Sequence, residues 1–142
     1  RIEGAVALLD TKITSSGDPT VQVGNEVPFA PSMSYSLAVQ HESDLQVFGR
    51  DGVLRARAAY QFVGRRKVDP QNRADLGSYG VVDLRLGWQR GNTEFYAFVE
   101  NLFNEDYAES GFVFGATPAG APVLAAIPGD PRRIGFGIDM RF

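Results

Sequence analysis

Two groups of residues in this sequence carry side chains with the chemistry for catalysis or metal binding. The first is His41, the only histidine of a chain that contains no cysteine. A single imidazole with no second nitrogen or sulfur ligand does not predict a zinc site. A serine hydrolase needs a nucleophile beside a base, and no G-x-S-x-G motif is present. We therefore predict no catalytic residue and interpret His41 as an interfacial strand residue.

The second group is acidic and lies in one loop, at Glu105, Asp106 and Glu109. Carboxylates bind calcium, but these three lack the ligand spacing of a known calcium loop. Scattered loop charges of this kind are usually solvated. We predict neither a metal site nor a cofactor. The formal net charge of -3 also argues against a nucleic-acid partner, which would require a basic face.

The elements that position these residues have the period of β-strands, most clearly in the last eleven residues, RRIGFGIDMRF. Alternate positions are apolar: Ile134, Phe136, Ile138, Met140 and Phe142. A chain that stops on an aromatic is unusual, because termini normally fray. The pattern resembles the C-terminal signal strand of bacterial outer-membrane β-barrels, which the barrel-assembly machinery recognises. A soluble edge strand at the end of the chain is the alternative.

Five further stretches are predicted to be strands, at residues 2–13, from Met33, from Val53 to about Gly64, from Tyr79 to Gln89 and from Glu94 to Phe103. Each has an apolar side, and two arginines share the opposite side of the third strand. A dry core would leave those arginines without partners, whereas a water-filled lumen accepts them. In the fifth strand both sides are apolar, and we predict that Phe95, Ala97 and Val99 face outward.

The connections between these strands are predicted to alternate between long and short. Prolines and charged turn residues mark long loops before Met33, at residues 65–78 and from about Glu105 to Pro131, and short turns are predicted near Gly52 and Gly91. Outer-membrane barrels combine short periplasmic turns with long extracellular loops. With Phe142 at the periplasmic rim, both short turns lie on that side.

Aromatic residues are also predicted to gather at the two ends of the strands. Trp88, Phe95 and Phe142 fall at the periplasmic end, and Tyr60, Phe62, Phe103 and Tyr107 fall at the outer end. No apolar run is long enough for a membrane-spanning helix. We therefore predict an all-β chain, an antiparallel up-and-down meander of about six strands that forms the C-terminal arc of a transmembrane β-barrel. We expect the apolar side of this arc to contact outer-membrane lipid.

Along nearly its whole length, the chain resembles the C-terminal part of TonB-dependent outer-membrane receptors. The most specific pieces are ENLFNEDY and the GDPRR terminus, in which the motif residues are Glu100, Asn101, Leu102, Phe103, Tyr107, Gly129, Asp130, Pro131 and Arg132. The resemblance implies a barrel of about 22 strands around an N-terminal plug. It also implies a small-molecule ligand, such as an iron-siderophore complex, and energy from the TonB complex acting through the plug.

Residues 1–142 are accordingly expected to be a segment of a longer bacterial outer-membrane protein. The first residues, RIEGAVALL, have neither an initiator Met nor a signal-peptide layout. Six strands are fewer than the roughly eight that close a barrel, so the remainder of the barrel and the plug are expected partners. A passive porin-like or structural barrel is the alternative function.

Ligand recognition is expected in the longest outer loop, because function in scaffolded barrels concentrates in loops. Phe112 and Phe114, flanked by glycines, are candidates for closing over an apolar or aromatic ligand surface. The alternative is that they pack against neighbouring loops. The segments FVF and VLAAI in this loop are predicted to form a short hairpin.

Overall fold

The computed structural model describes all 142 residues and is built from ten β-strands. They are β1 (Ile2–Leu8), β2 (Met33–Val47), β3 (Arg50–Val63), β4 (Arg66–Lys67), β5 (Asp75–Leu76), β6 (Tyr79–Arg90), β7 (Thr93–Glu100), β8 (Ala108–Ala116), β9 (Pro122–Pro128) and β10 (Arg133–Met140). The structure contains no helix of the length and apolarity that would cross a membrane.

Six of the strands form one antiparallel sheet in the order β1-β2-β3-β6-β7-β10. Each of these strands is hydrogen-bonded to the one before it among the six, as in an up-and-down meander. The remaining strands pair as two small hairpins, β4 with β5 and β8 with β9, inside the second and third long connections. The predicted all-β meander is therefore confirmed, and so is the hairpin in the third long loop.

The register assigns every strand of the sheet a polar and an apolar side, because directly opposed residues of an antiparallel pair point to the same side. One row across the sheet contains Val39, Ala58, Leu84, Val99 and Ile134. We call this side the apolar face. The opposite side, the polar face, carries Arg57, Arg85 and Phe98 in one row. Phe95, Ala97 and Val99, the predicted outward set of the fifth predicted strand (β7), lie on the apolar face together with the apolar residues of the neighbouring strands.

The aromatic residues of β7 on the polar face lie over glycines of the neighbouring strand, β10. Phe98 is opposite Gly135 and Tyr96 is opposite Gly137. A Cβ atom at Gly135 would lie 2.6 Å from the Phe98 ring, so the ring lies directly over the glycine backbone. This packing explains why both sides of β7 are apolar although only one side belongs to the apolar face.

Charged residues of the polar face form short cross-strand ion pairs. Arg85 lies 3.5 Å from Glu94 and 3.3 Å from Asp139, with its guanidinium carbon 3.7 Å from the centroid of the Tyr96 ring. Further pairs join Arg57 to Glu3 at 3.3 Å, Arg55 to Glu42 at 3.1 Å and Arg133 to Glu100 at 2.7 Å. All of these arginines are partly exposed, so the face is solvated as well as paired.

The turn between β2 and β3 is not where the sequence predicted it. The prediction placed it at Arg50-Asp51-Gly52, but Val47 pairs with Arg50 and the loop consists of Phe48 and Gly49 alone. Both loop residues have positive φ, 50° and 72°, as a type I′ turn requires. Gly52 lies inside β3, where a Cβ atom would clash with the Trp88 indole. The second short turn, Gly91-Asn92, is confirmed between Arg90 and Thr93.

Three predicted strand ends were also wrong. The first predicted strand (β1) stops at Leu8 rather than at Ile13, and the fifth predicted strand (β7) stops at Glu100 rather than at Phe103. The terminal strand stops at Met140, and Phe142 lies beyond it, fully exposed. Strand β7 ends early because Asn101 has a φ of 49°, which lies outside the β region.

Candidate functional site at the loop end of the sheet

The end of the sheet that carries the three long connections, which we call the loop end, contains most of the buried residues. They are Gly64, Arg66, Val68, Asp69, Leu76, Asn101 and Gly111. The sheet itself has apolar surface on one side and solvated ion pairs on the other, so it encloses no core of its own. The loops therefore pack against each other, and their packing shapes the surface at this end.

Asn101 organises the first part of this packing. Its side chain is almost fully buried, and its Oδ1 accepts a hydrogen bond from the amide of Glu105 at 2.8 Å. Its Nδ2 donates to the carbonyl oxygens of Glu105 and Asp130, both at 3.0 Å. The Asn101 amide donates to Asp83 Oδ1 at 2.9 Å. One side chain thus ends β7, closes the following turn and connects this turn to the segment before β10.

The two family-like motifs meet at this point. Asn104 Oδ1 accepts from the amide of Arg132 at 3.0 Å, and the amide of Gly129 donates to the carbonyl of Tyr107 at 2.9 Å. A Cβ atom at Gly129 would overlap the Tyr107 ring, so only glycine fits there. The segments 100–107 and 129–132 therefore act together as a structural connection across the base of the third long loop.

The other motif residues surround this connection. The amide of Leu102 donates to the carbonyl of Val82 at 2.8 Å, and Glu100 is paired with Arg133. Phe103 is largely exposed, and Asp130 lies 3.2 Å from Arg133. Pro131 follows Asp130 directly, before β10 begins.

Tyr107 lies at the outer, loop end of the sheet as predicted, but its ring does not join an aromatic girdle on the apolar face. Its ring stacks on Tyr79 with centroids 4.1 Å apart, and the register places Tyr79 on the polar face. Burial there raises the pKa of the Tyr107 phenol above its usual value. By contrast, Tyr60 and Phe62 lie on the apolar face around Tyr35, with centroids at 5.8 and 4.9 Å from the Tyr35 ring.

Arg66 joins the second and third long loops. This buried guanidinium donates from Nη2 to the carbonyls of Ala108 and Glu109 at 2.9 and 2.7 Å, and its carbon lies 5.4 Å from the centroid of the Tyr79 ring. Sequence analysis missed this residue, since an arginine in a charged loop segment normally indicates a solvated side chain.

The first and second long loops are joined by hydrogen bonds between asparagine side chains of each loop and the backbone of the other. Asn72 accepts from the amide of Glu26 at 2.8 Å and donates to its carbonyl at 2.9 Å. Asn25 donates to the carbonyl of Pro70 at 2.8 Å. Asn72 has a positive φ of 56°, a conformation that asparagine adopts more readily than most residues. All three long loops therefore form one connected layer.

The β8–β9 hairpin presents the candidate ligand residues to solvent. Gly111 is buried close to Leu76 of the second long loop, whereas Phe112 and Phe114 are 56% and 65% exposed. Their rings contact each other edge-on, with centroids 6.3 Å apart. In this structure the two rings form an exposed aromatic pair above the packed layer.

The residues considered for catalysis or metal binding are not brought together. No cluster of histidine, cysteine, aspartate and glutamate has the arrangement of a metal site. His41 lies near the middle of β2 on the apolar face, opposite Ala56, so its register does not support an interfacial position. The Glu105 backbone closes the Asn101 turn, which is a structural role.

Comparison with known proteins gives the family. Residues 2–102 match the family model for the TonB dependent receptor-like β-barrel. The pesticin receptor of Yersinia pestis is 32% identical over 124 residues, which cover 85% of this chain and 18% of the receptor. The pesticin receptor of Yersinia enterocolitica is 30% identical over 122 residues, with the same coverage of both chains.

Solved structures agree with this match. The ferric yersiniabactin uptake receptor FyuA from Yersinia pestis superposes with a TM-score of 0.73 at 28% identity, covering 84% of this chain and 18% of that one. The ferric-catecholate import receptor Fiu from E. coli K12 shares the fold over the whole chain, with a TM-score of 0.70 at 21% identity and 19% of its own length covered. This chain spans about a fifth of the length of these relatives. With its meander of alternating long and short connections, it belongs to the family of TonB-dependent receptor β-barrels.

Proposed function

We propose that residues 1–142 form the C-terminal segment of the barrel of an outer-membrane receptor that takes up a ferric siderophore with energy from TonB. The observation that carries this proposal is the match to the family barrel, together with the likeness to a ferric yersiniabactin uptake receptor. The segment has a structural and recognition role, and no step of catalysis is assigned to it.

The two faces of the sheet support a position in a barrel wall. The apolar face has the composition of a lipid-contacting surface, and the polar face, with its paired arginines, has that of a surface toward a hydrated interior. We place the plug and the remainder of the barrel as the partners of the polar face and of the edge strands β1 and β10. TonB acts through the plug, and the barrel-assembly machinery recognises the terminal strand.

The loop end faces the medium in this proposal, and the aromatic pair Phe112 and Phe114 contacts the ligand. Siderophore complexes present apolar or aromatic surfaces, against which aromatic rings pack well. The pair is exposed and is held on a hairpin whose base is packed against Leu76. A rigid base with exposed rings suits recognition better than a disordered loop would.

The function is tested by uptake of radiolabelled iron in cells that express the full-length receptor as their only ferric-siderophore receptor. We expect uptake with at least one siderophore class, and we expect it to stop in a strain without TonB and after a protonophore. A passive porin-like barrel would let the solute enter equally in all three conditions. That result would reject the proposed energy coupling.

The ligand role of the hairpin is tested by the double variant Phe112→Ser and Phe114→Ser. Removing two stacking rings is expected to weaken siderophore binding to whole cells by about tenfold or more, at roughly 1 kcal/mol for each aromatic contact. Phe48→Ser is the control for loss of an exposed ring, since Phe48 is even more exposed than Phe112 and Phe114 but lies in the β2–β3 turn at the opposite end. Unchanged binding in the double variant would remove this hairpin from the recognition surface.

A further inference from the structure

The apolar face carries only two charged residues, Arg50 and Arg90. The register places Arg50 opposite Val47 and Arg90 opposite Thr93, at the end of the sheet with the two tight turns. All other charged residues of the six strands lie on the polar face, where each arginine has a carboxylate partner. Arg50 and Arg90 have no ion pair and no side-chain hydrogen bond, and both are exposed. Their two charges are therefore uncompensated on an otherwise apolar surface.

Both arginines line the same open groove. It has a volume of about 1160 Å³, and its apolar walls include Phe48, Trp88, Phe95 and Met140. No aspartate or glutamate lines it. The groove thus joins two guanidinium groups to a long apolar wall, and this surface is complementary to a lipid that carries an anionic headgroup on an apolar chain.

The apolar wall is held in place by contacts within the chain. Trp88 donates from its indole nitrogen to the carbonyl of Leu45 at 3.1 Å, and its ring lies over Gly52. The Trp88 and Phe95 rings stack with centroids 6.3 Å apart. Any side chain larger than glycine at position 52 would displace the indole. The groove is therefore formed by the fold and does not depend on a bound partner for its shape.

We propose that this groove binds a phospholipid of net negative charge from the periplasmic leaflet, with its phosphate held by Arg50 and Arg90 and an acyl chain along Trp88, Phe95 and Met140. Guanidinium groups bind phosphate oxygens through paired hydrogen bonds, and aromatic residues favour the headgroup level of a membrane. Since no carboxylate offsets the two charges, a net anionic headgroup is preferred over a zwitterionic one. The inference rests on the proposed outer-membrane location, and it adds a lipid site to it.

The test uses the purified full-length receptor, stripped of lipid in detergent and mixed with equal amounts of phosphatidylglycerol and phosphatidylethanolamine that have the same acyl chains. Native mass spectrometry counts the lipids retained. We expect phosphatidylglycerol to be preferred, and the double variant Arg50→Gln and Arg90→Gln to lose this preference by about fivefold for each arginine. The double variant Arg50→Lys and Arg90→Lys keeps both charges and should retain most of the preference for phosphatidylglycerol.

Arg141→Gln is the matched control, because Arg141 lies at the same end of the sheet beside the polar residues Gln89, Asn92 and Asp139. It should retain phosphatidylglycerol as the unaltered receptor does. Equal retention of the two lipids by the unaltered receptor would overturn the proposal, and so would full retention by the glutamine variant. Competition by inorganic phosphate alone at equal concentration would also overturn it, as it would show a site for free phosphate. Iron uptake measured on the same receptor tests the transport function separately.

Discussion

At the scale of single residues, neighbouring positions in a strand have opposite environments. Leu84 lies on the apolar face between Ala58 and Val99, whereas the next residue, Arg85, lies on the polar face with two carboxylates and an aromatic ring around it. A charged side chain is therefore expected to destabilise the fold at position 84 and to be accommodated at position 85. This gives a direct test of the assigned faces.

Leu84→Arg in the full-length receptor is expected to lower the free energy of unfolding by about 2–4 kcal/mol, because it directs a charge into the bilayer near mid-strand. Arg85→Leu should lower it by about 1 kcal/mol or less, since the ion pairs of Arg85 are partly exposed and screened by water. Chemical denaturation in lipid bilayers measures both values. Equal destabilisation by the two changes would show that the assigned faces are wrong.

Asn101 is the residue on which most of the loop-end hydrogen bonds depend. Asn101→Ala should lower the free energy of unfolding by about 2–3 kcal/mol, because it leaves the Glu105 amide and the carbonyls of Glu105 and Asp130 without partners. Asn101→Gly should lower the free energy of unfolding as much as Asn101→Ala does. Glycine accepts the positive φ, but it supplies none of the hydrogen bonds of the asparagine side chain. Asn92→Ala, in an exposed turn, is the control and should be near neutral. A small loss with Asn101→Ala would mean that water replaces these bonds.

At the scale of elements, the pairing of the last strand leaves Phe142, the proposed assembly-signal residue, outside the sheet. β10 pairs with β7 from Arg133 to Met140, and Phe142 takes no part in that ladder. The apolar positions Ile134, Phe136, Ile138 and Met140 are all well exposed on the apolar face. Phe142 therefore contributes little to the folded sheet, although its position at the end of an alternating strand suits recognition by the assembly machinery.

Deleting Phe142 from the full-length receptor is expected to reduce the amount inserted in the outer membrane and to leave unfolded receptor in the periplasm. The fraction that does insert should unfold at the same denaturant concentration as the unaltered receptor. Heat-modifiability on gels measures the first quantity, and unfolding in bilayers measures the second. Normal insertion after the deletion would contradict the role of Phe142 as an assembly signal.

At the scale of the whole molecule, the chain exposes far more surface than a compact domain of its size. Its accessible surface is 9670 Å², and only 9 of 142 residues are buried. A compact monomer of 15.5 kDa would expose about 7200 Å². The excess is the apolar face and the two edge strands, β1 and β10. These are the surfaces that a bilayer and further strands would cover.

The chain expressed by itself is therefore expected to give no stable monomer. Unpaired edges and an uncovered apolar face favour association between copies. Size-exclusion chromatography with light scattering should show aggregates or mixed oligomers, whereas the full-length receptor in detergent should give one defined species. A soluble, monodisperse product that unfolds cooperatively would contradict both the membrane location and the segment interpretation.

The sequence by itself determined the sheet. Alternation with a period of two predicted which side each strand presents, and the register of β3, β6 and β10 agrees with it. Turn residues located the long loops, since prolines and clusters of turn-forming residues interrupt the long strands of the sheet. These features are local, so they can be read from neighbouring positions alone. The resemblance of ENLFNEDY and GDPRR to a receptor family was equally available from the sequence.

Only the tertiary structure decided how these elements fit together. The first tight turn is at Phe48-Gly49 because the pairing of β2 with β3 fixes it, while the Asp51-Gly52 pair lies within a strand. Tyr107 packs under the loops, and Asn101 and Arg66 connect segments about 30 and 40 residues away, Asp130 and Ala108. Contacts over such separations leave no periodic pattern in the sequence, because each depends on where two distant segments meet. The packing of the loop end is therefore a property of the folded chain alone.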